Sequence, residues 1–208
     1  MNRNTFLTVA VLVLAGMLVW MLFFWEPGNQ AKPQTGQPLA LVSTPTGGDF
    51  TLTGSKGLVS LADFRGKVVV LYFGYTYCPD VCPLSLSLSL IAQGLSGLDA
   101  AALQKVQGIF VSVDPERDTP QRLAEYAPFF HPSLIGVTGT PEQIAAVARM
   151  YGSSYRKQPK GPEGNYAVDH SSVTYIISPD GKLVDMLQHG SPPESITAAI
   201  NKALATAK

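Results

Sequence analysis

Val68-Val-Val-Leu-Tyr-Phe-Gly-Tyr-Thr-Tyr-Cys-Pro-Asp-Val-Cys-Pro83 joins an apolar, β-favouring run to a turn carrying Cys78 and Cys82, the only two cysteines of the 208-residue chain. Val68 to Phe73 holds no charged residue, as befits a central strand covered on both faces. Gly74 releases the backbone, and Pro79 and Pro83 set how the chain enters the next element. Two thiols at this spacing can close a disulfide or clasp a soft metal.

Working outward, composition limits what surrounds this stretch. With 46% hydrophobic residues the chain can build one sizeable domain. Its net charge is zero and it has no basic run, so no electrostatic argument favours nucleic acid. The sixteen prolines and nineteen glycines fall between apolar runs and mark turns.

The N-terminus is of another kind. From Thr5 to Trp25 no residue is charged, with Arg3 before the run and Glu26 after it. About twenty apolar residues match the ~30 Å hydrocarbon core of a bilayer. The run exceeds a signal-peptide core, and Phe23-Phe24-Trp25-Glu26 offers no small-residue cleavage site. Residues 1–26 therefore read as an uncleaved transmembrane anchor, 27–40 as a Gln/Gly/Pro/Thr-rich tether, and 41–208 as the folded domain. Arg3 on the short N-terminal side argues for N-inside, which puts the domain outside the cytoplasm: in a two-membrane bacterium, on the inner membrane facing the periplasm. In such an oxidising compartment paired cysteines are the rule.

The remaining chain alternates strands and helices. Asp49–Thr53 and Leu58–Leu61 suggest two short strands about a turn at Gly54–Gly57. Leu84-Ser-Leu-Ser-Leu-Ser-Leu90 alternates like a strand, yet Pro83 suits a first helical turn and a parallel neighbour requires a crossover, so a helix is expected, fraying at Gly94 and Gly97. Val106–Val113 is a second buried strand and Leu134–Thr138 a third, with helices from Pro120 (capped by Thr119) and Pro141 (capped by Thr140). Val173–Ser178 and Leu183–Leu187 form an antiparallel hairpin before a last helix from about Pro193 to Leu204. The order predicts an α/β, thioredoxin-like fold: a mostly parallel central sheet with a late antiparallel hairpin, flanked by helices.

Three segments carry a resemblance. Asp63-Phe-Arg-Gly-Lys67 with Phe73–Pro83, the loop Ser112-Val-Asp-Pro-Glu-Arg-Asp-Thr-Pro120, and Val168-Asp-His-Ser-Ser172 with Ile177-Ser-Pro-Asp-Gly181 closely resemble the SCO (SenC) family, copper-handling proteins of cytochrome c oxidase assembly. The resemblance implies a thioredoxin fold binding one copper ion, Cu(I) or Cu(II), through two cysteines and a distant histidine. Carried over residue by residue, these are Cys78, Cys82 and His170. It implies an upstream copper donor and, as recipient, the dinuclear copper site of oxidase subunit II.

The chemistry agrees. A helix N-terminus favours thiolate. Two soft thiolates select Cu(I), and an added imidazole suits Cu(II); zinc would want a fourth ligand, and no third cysteine exists. A purely structural disulfide across so short a loop would contribute only about 2 kcal/mol. His170 is expected on the loop before the hairpin, where Ser171-Ser172 stand in the place of the usual cis-proline. Asp169 is either an acceptor orienting the imidazole or a solvated carboxylate. His131 and His189 read as surface residues, and Asp114, Arg117 and Asp118 as loop capping.

The rival function is a thiol:disulfide reductase that keeps the subunit II cysteines reduced. It uses the same sulfurs, Cys78 and Cys82, as its catalytic pair, but C-x-x-C and the cis-proline are both missing. A peroxidase would want Thr or Ser three residues before the attacking cysteine, where Tyr75 stands.

Overall fold

The computed structural model describes residues 2–24, 44–77, 83–161 and 164–206. The chain divides into two compact units, Met1–Thr35 and Gly36–Lys208. The boundaries expected near residues 26 and 40 lie outside the described residues.

Among its described residues the first unit contains the helix α1 (Arg3–Phe24), of 22 residues. Several of its side chains lie outside the described set. Among the described residues no helix is long and apolar enough to cross a membrane.

The second unit begins with the hairpin β1 (Thr51–Gly54) and β2 (Gly57–Ser60), followed by a 3₁₀ turn over Leu61–Phe64 closed by a Ser60/Asp63 capping box. Next come β3 (Val68–Gly74), α2 (Pro83–Ser96), the short α3 (Ala100–Leu103) and β4 (Val106–Ser112). They are followed by α4 (Pro120–Phe130), β5 (Leu134–Val137) and α5 (Pro141–Met150). The chain closes with β6 (Tyr155–Lys157), β7 (Val168–His170), β8 (Thr174–Ile177), β9 (Leu183–Leu187) and α6 (Pro193–Ala205). The central sheet runs β5-β4-β3-β8-β9, with β3, β4 and β5 parallel and β8 and β9 antiparallel additions. This is the expected thioredoxin-type arrangement, with β3 at its middle.

Strand alternation sorts the core into two layers. Val69, Leu71 and Phe73 of β3 join Ile109, Val111, Tyr175 and Ile177 under α5 and the N-terminal hairpin. Val68, Val70 and Tyr72 face the other way, onto Leu88, Ile91 and Leu95 of α2, Leu123 of α4 and Ile196 and Ile200 of α6. Each fully buried aliphatic or aromatic side chain contributes about 1.5–3 kcal/mol, so the sheet holds from both faces.

The Leu/Ser alternation after Pro83 is helical, as the crossover demands. Ser87, Leu88, Ile91, Ala92 and Leu95 are buried at helical spacing, whereas Leu86 is exposed. Gly94 does not mark fraying. It lies inside α2, where an added Cβ would stand 2.8 Å from Ile196 Cβ, so the glycine is what allows α2 and α6 to approach. Thr119 and Thr140 cap α4 and α5 through the amides of Arg122 and Gln143, and Gly152 (φ +63°) turns the chain out of α5.

Candidate metal centre

Parallel strands present their C-terminal ends on one edge of the sheet, and there β3 delivers its turn. Cys78 and Cys82 belong to residues 78–82, outside the described residues. Tyr77 and Pro83 bracket them.

His170 reaches this edge by topology. β8 runs antiparallel to β3 with Thr174 opposite Tyr72. The residues just before β8 must therefore cross the C-terminal end of β3. His170 lies not on a loop, as expected, but at the end of β7, paired with Tyr155 of β6. This two-stranded ladder leaves little trace in the residue pattern because each strand is only three residues long.

The imidazole is 7% exposed. It stands edge-on between two rings, Tyr72 (centroids 6.1 Å apart, 90°) and Tyr75 (6.1 Å, 85°). Tyr72 lies near the C-terminal end of β3 and Tyr75 directly follows the strand, so His170 packs against the segment that leads toward Cys78. Burial, with a smaller push from nearby His189, lowers its pKa to about 4 against the opposing pull of Asp169. The ring is neutral at physiological pH, the state a metal needs. Its Nδ1 lies 3.3 Å from Ser172 Oγ; with Nδ1 engaged as the N–H, Nε2 keeps its lone pair for a ligand.

Asp169 takes neither of its expected roles. One position along β7 it points to the opposite side, where it is 5% exposed. It pairs with Arg156 Nη2 at 3.2 Å and accepts from Gln158 Nε2. The hydroxyl two residues on, not the carboxylate beside it, meets the imidazole.

Neither remaining histidine is an ordinary surface residue. His131 is buried, its Nδ1 accepting the Ser133 amide at 3.1 Å, and burial lowers its pKa. His189 is half-buried, with Nδ1 3.0 Å from Ser87 Oγ on α2. The Tyr72 hydroxyl faces Ser87 and Ser172 but makes a well-formed hydrogen bond with neither. Burial holds this phenol up at about 12.

The β4–α4 loop is more than capping. Asp114 and Asp118 are both fully shielded from solvent. Asp118 takes the Thr76 amide (2.8 Å), the Thr76 hydroxyl (2.5 Å) and the Ser112 hydroxyl (2.5 Å). Asp114 takes Arg117 Nε (2.5 Å) and the Tyr166 hydroxyl (2.8 Å). The motif marks Asp114 and Asp118, but two of their partners, Thr76 and Tyr166, lie 42 and 52 positions away and cannot be read from local spacing.

The comparisons with known proteins converge. The SCO1/SenC family model matches residues 40–205. The SCO2 homologue of Bos taurus, described as mitochondrial, is 40% identical over 205 residues, covering 97% of this chain and 76% of its own length. The chain spans 62% of the mouse SCO2 homologue's length. The crystal structure of Arabidopsis thaliana ScoI with copper bound superposes with a TM-score of 0.67 at 37% identity, covering 77% of this chain and 99% of that one. That of yeast Sco1 with copper bound does so with 0.69 at 30% identity, covering 78% and 90%. A family model matching residues 40–205 and a relative 40% identical over 97% of the chain, on the fold these solved structures share, show that the chain belongs to the SCO1/SenC family.

Proposed function

We propose that Cys78, Cys82 and His170 bind one copper ion as cargo, and that the chain is a membrane-anchored metallochaperone delivering it to the dinuclear copper site of cytochrome c oxidase subunit II. The observation that carries this reading is the buried, neutral His170 imidazole packed against Tyr75, three residues before Cys78. Copper-bound relatives support the choice of metal. Two thiolates and an imidazole form a soft set able to hold Cu(I) and to accommodate Cu(II). The residues' task is to bind, and then to yield the ion to a better-matched set of ligands.

Anchoring rests on the uncharged run from Thr5 to Trp25, about as many residues as a helix needs to span ~30 Å of hydrocarbon. With Arg3 held inside, the domain faces the periplasm of a bacterial inner membrane.

The test is copper titration of the reduced protein beside Cys78→Ser, Cys82→Ser and His170→Ala. Each substitution is expected to lower retention, and closing the Cys78–Cys82 disulfide to abolish high-affinity binding. Equal retention in His170→Ala and the parent removes the three-ligand site. The reductase reading needs the same dithiol to reduce an oxidised subunit II peptide without copper. The absence of C-x-x-C and of proline at 171–172 weighs against it.

A further inference from the structure

Tyr75, Thr76 and Tyr77 are the last three residues before Cys78, and the β4–α4 loop holds all of them. Asp118 fixes Thr76 by amide and hydroxyl together. Arg122 Nε also donates to the Thr76 hydroxyl at 2.5 Å. The Arg117 guanidinium carbon sits 5.7 Å from the Tyr75 ring centroid and 4.9 Å from that of Tyr77. It also lies 3.6 Å from the Tyr166 ring centroid, and its Nη1 donates to the Tyr166 carbonyl at 2.9 Å. Tyr166 stands two residues before β7, the strand that ends in His170.

Arg117 therefore touches both arms of the site: the strut into the first cysteine and the approach to the histidine. Its own orientation is fixed by the bond from Nε to Asp114, whose other oxygen takes the Tyr166 hydroxyl. A planar guanidinium stacks on rings while donating in its own plane; an ammonium has no such face. A carboxylate shielded from water and given three short donors keeps its partners in place.

We propose that Arg117 and Asp118 are positioning residues for the copper site: a brace that sets the approach of the cysteine segment to His170 without touching the metal. This rests on the reading of Cys78, Cys82 and His170 as ligands. Stability alone does not call for the arrangement, since a loop anchored only for folding has no need to grip three consecutive residues leading into the reactive turn.

The test uses the full chain with Arg117→Lys, Asp118→Asn and Thr76→Val, and Glu125→Gln on the exposed face of α4 as control. Amide hydrogen exchange is read in the reduced, metal-free protein, and copper affinity and the Cu(II) electron paramagnetic resonance spectrum in the loaded one. Arg117→Lys is expected to speed exchange at residues 75–77 at least about tenfold while β3 and β4 stay protected. It should also weaken copper binding by roughly ten- to a hundredfold, the range for residues supporting a metal ligand, and alter the Cu(II) spectrum. Thr76→Val removes only the hydroxyl and so serves if Asp118→Asn fails to fold. Faster exchange with unchanged affinity and spectrum overturns the positioning role, and unchanged exchange overturns the brace. If the parent retains no copper, the metal reading is lost, and the exchange result still decides whether the brace exists.

Discussion

Ser172 holds its hydroxyl 3.3 Å from Nδ1 of His170 from a backbone at φ +50°, the sole positive φ of a non-glycine residue among those described. The bend is pinned by the Ser171 amide donating to the Ser154 carbonyl (3.0 Å) and by the Ser153–Ser171 hydroxyl pair (2.9 Å). A left-handed serine costs about 1–3 kcal/mol, so the conformation is set by its surroundings and not by the residue's own preference.

Two substitutions separate the bond from the bend. Ser172→Ala removes the hydroxyl and keeps the unfavourable φ; it should lose about 1 kcal/mol of stability and roughly tenfold in copper affinity. Ser172→Gly removes the hydroxyl and suits the φ. It should recover stability in denaturant melts but not affinity in titration. Recovery of both would show that Ser172 does not orient the imidazole.

Two buried tyrosines should respond differently to loss of their hydroxyls. Tyr151 donates to the Gly48 carbonyl at 3.0 Å, so Tyr151→Phe leaves that carbonyl short of a partner and costs about 1 kcal/mol. The Tyr72 hydroxyl makes no well-formed bond, so Tyr72→Phe should change stability by less than about 0.5 kcal/mol. Urea melts of the two variants decide the matter.

The helix pair α2/α6 gives a packing prediction. Gly94→Ala gains up to about 1 kcal/mol of helix propensity. Its methyl group would meet Ile196 Cβ at 2.8 Å and the Pro193 carbonyl at 3.1 Å, and overpacking of this kind costs about 1–3 kcal/mol. A net loss of up to about 2 kcal/mol is expected from the balance of these terms. Gln93→Ala, one position earlier and exposed, should stay within about 0.5 kcal/mol. A stabilised Gly94→Ala protein would mean that the helices have room to spare.

His131 supplies a pH dependence. Burial lowers its folded pKa below the ordinary value, and its Nδ1 is an acceptor for the Ser133 amide, so protonation would break that bond. Between the folded pKa and about 6.5, the unfolded chain holds more protons, and stability rises with pH. The contribution is complete above the unfolded pKa and is lost as pH falls toward the folded one. His131→Asn keeps an acceptor for the amide two residues on and does not titrate. The parent's stability relative to this variant should therefore shrink as pH is lowered from 7.5 to 5. A constant difference would show that His131 is free to protonate in place.

The sequence alone determined the sheet, because apolar runs of seven residues such as Val68–Gly74 have no stable place except between two helical layers, and because caps such as Thr119 and Thr140 act on amides three residues away. It also marked Cys78, Cys82 and His170 as candidates, through segments that resemble the SCO (SenC) family. Tertiary structure decided what surrounds them. Antiparallel pairing of β8 with β3 brings His170 to the edge where Tyr72 and Tyr75 lie, and alternation along β7 turns Asp169 away and leaves Ser172 to meet the ring. Burial changed His131 from a surface residue into an uncharged acceptor, and long-range bonds made Asp118 and Arg117 into anchors for Thr76 and its neighbours. Local spacing fixes what a residue is able to do within a few positions of itself; which distant group it meets, and whether water is there to compete, depends on how the layers close.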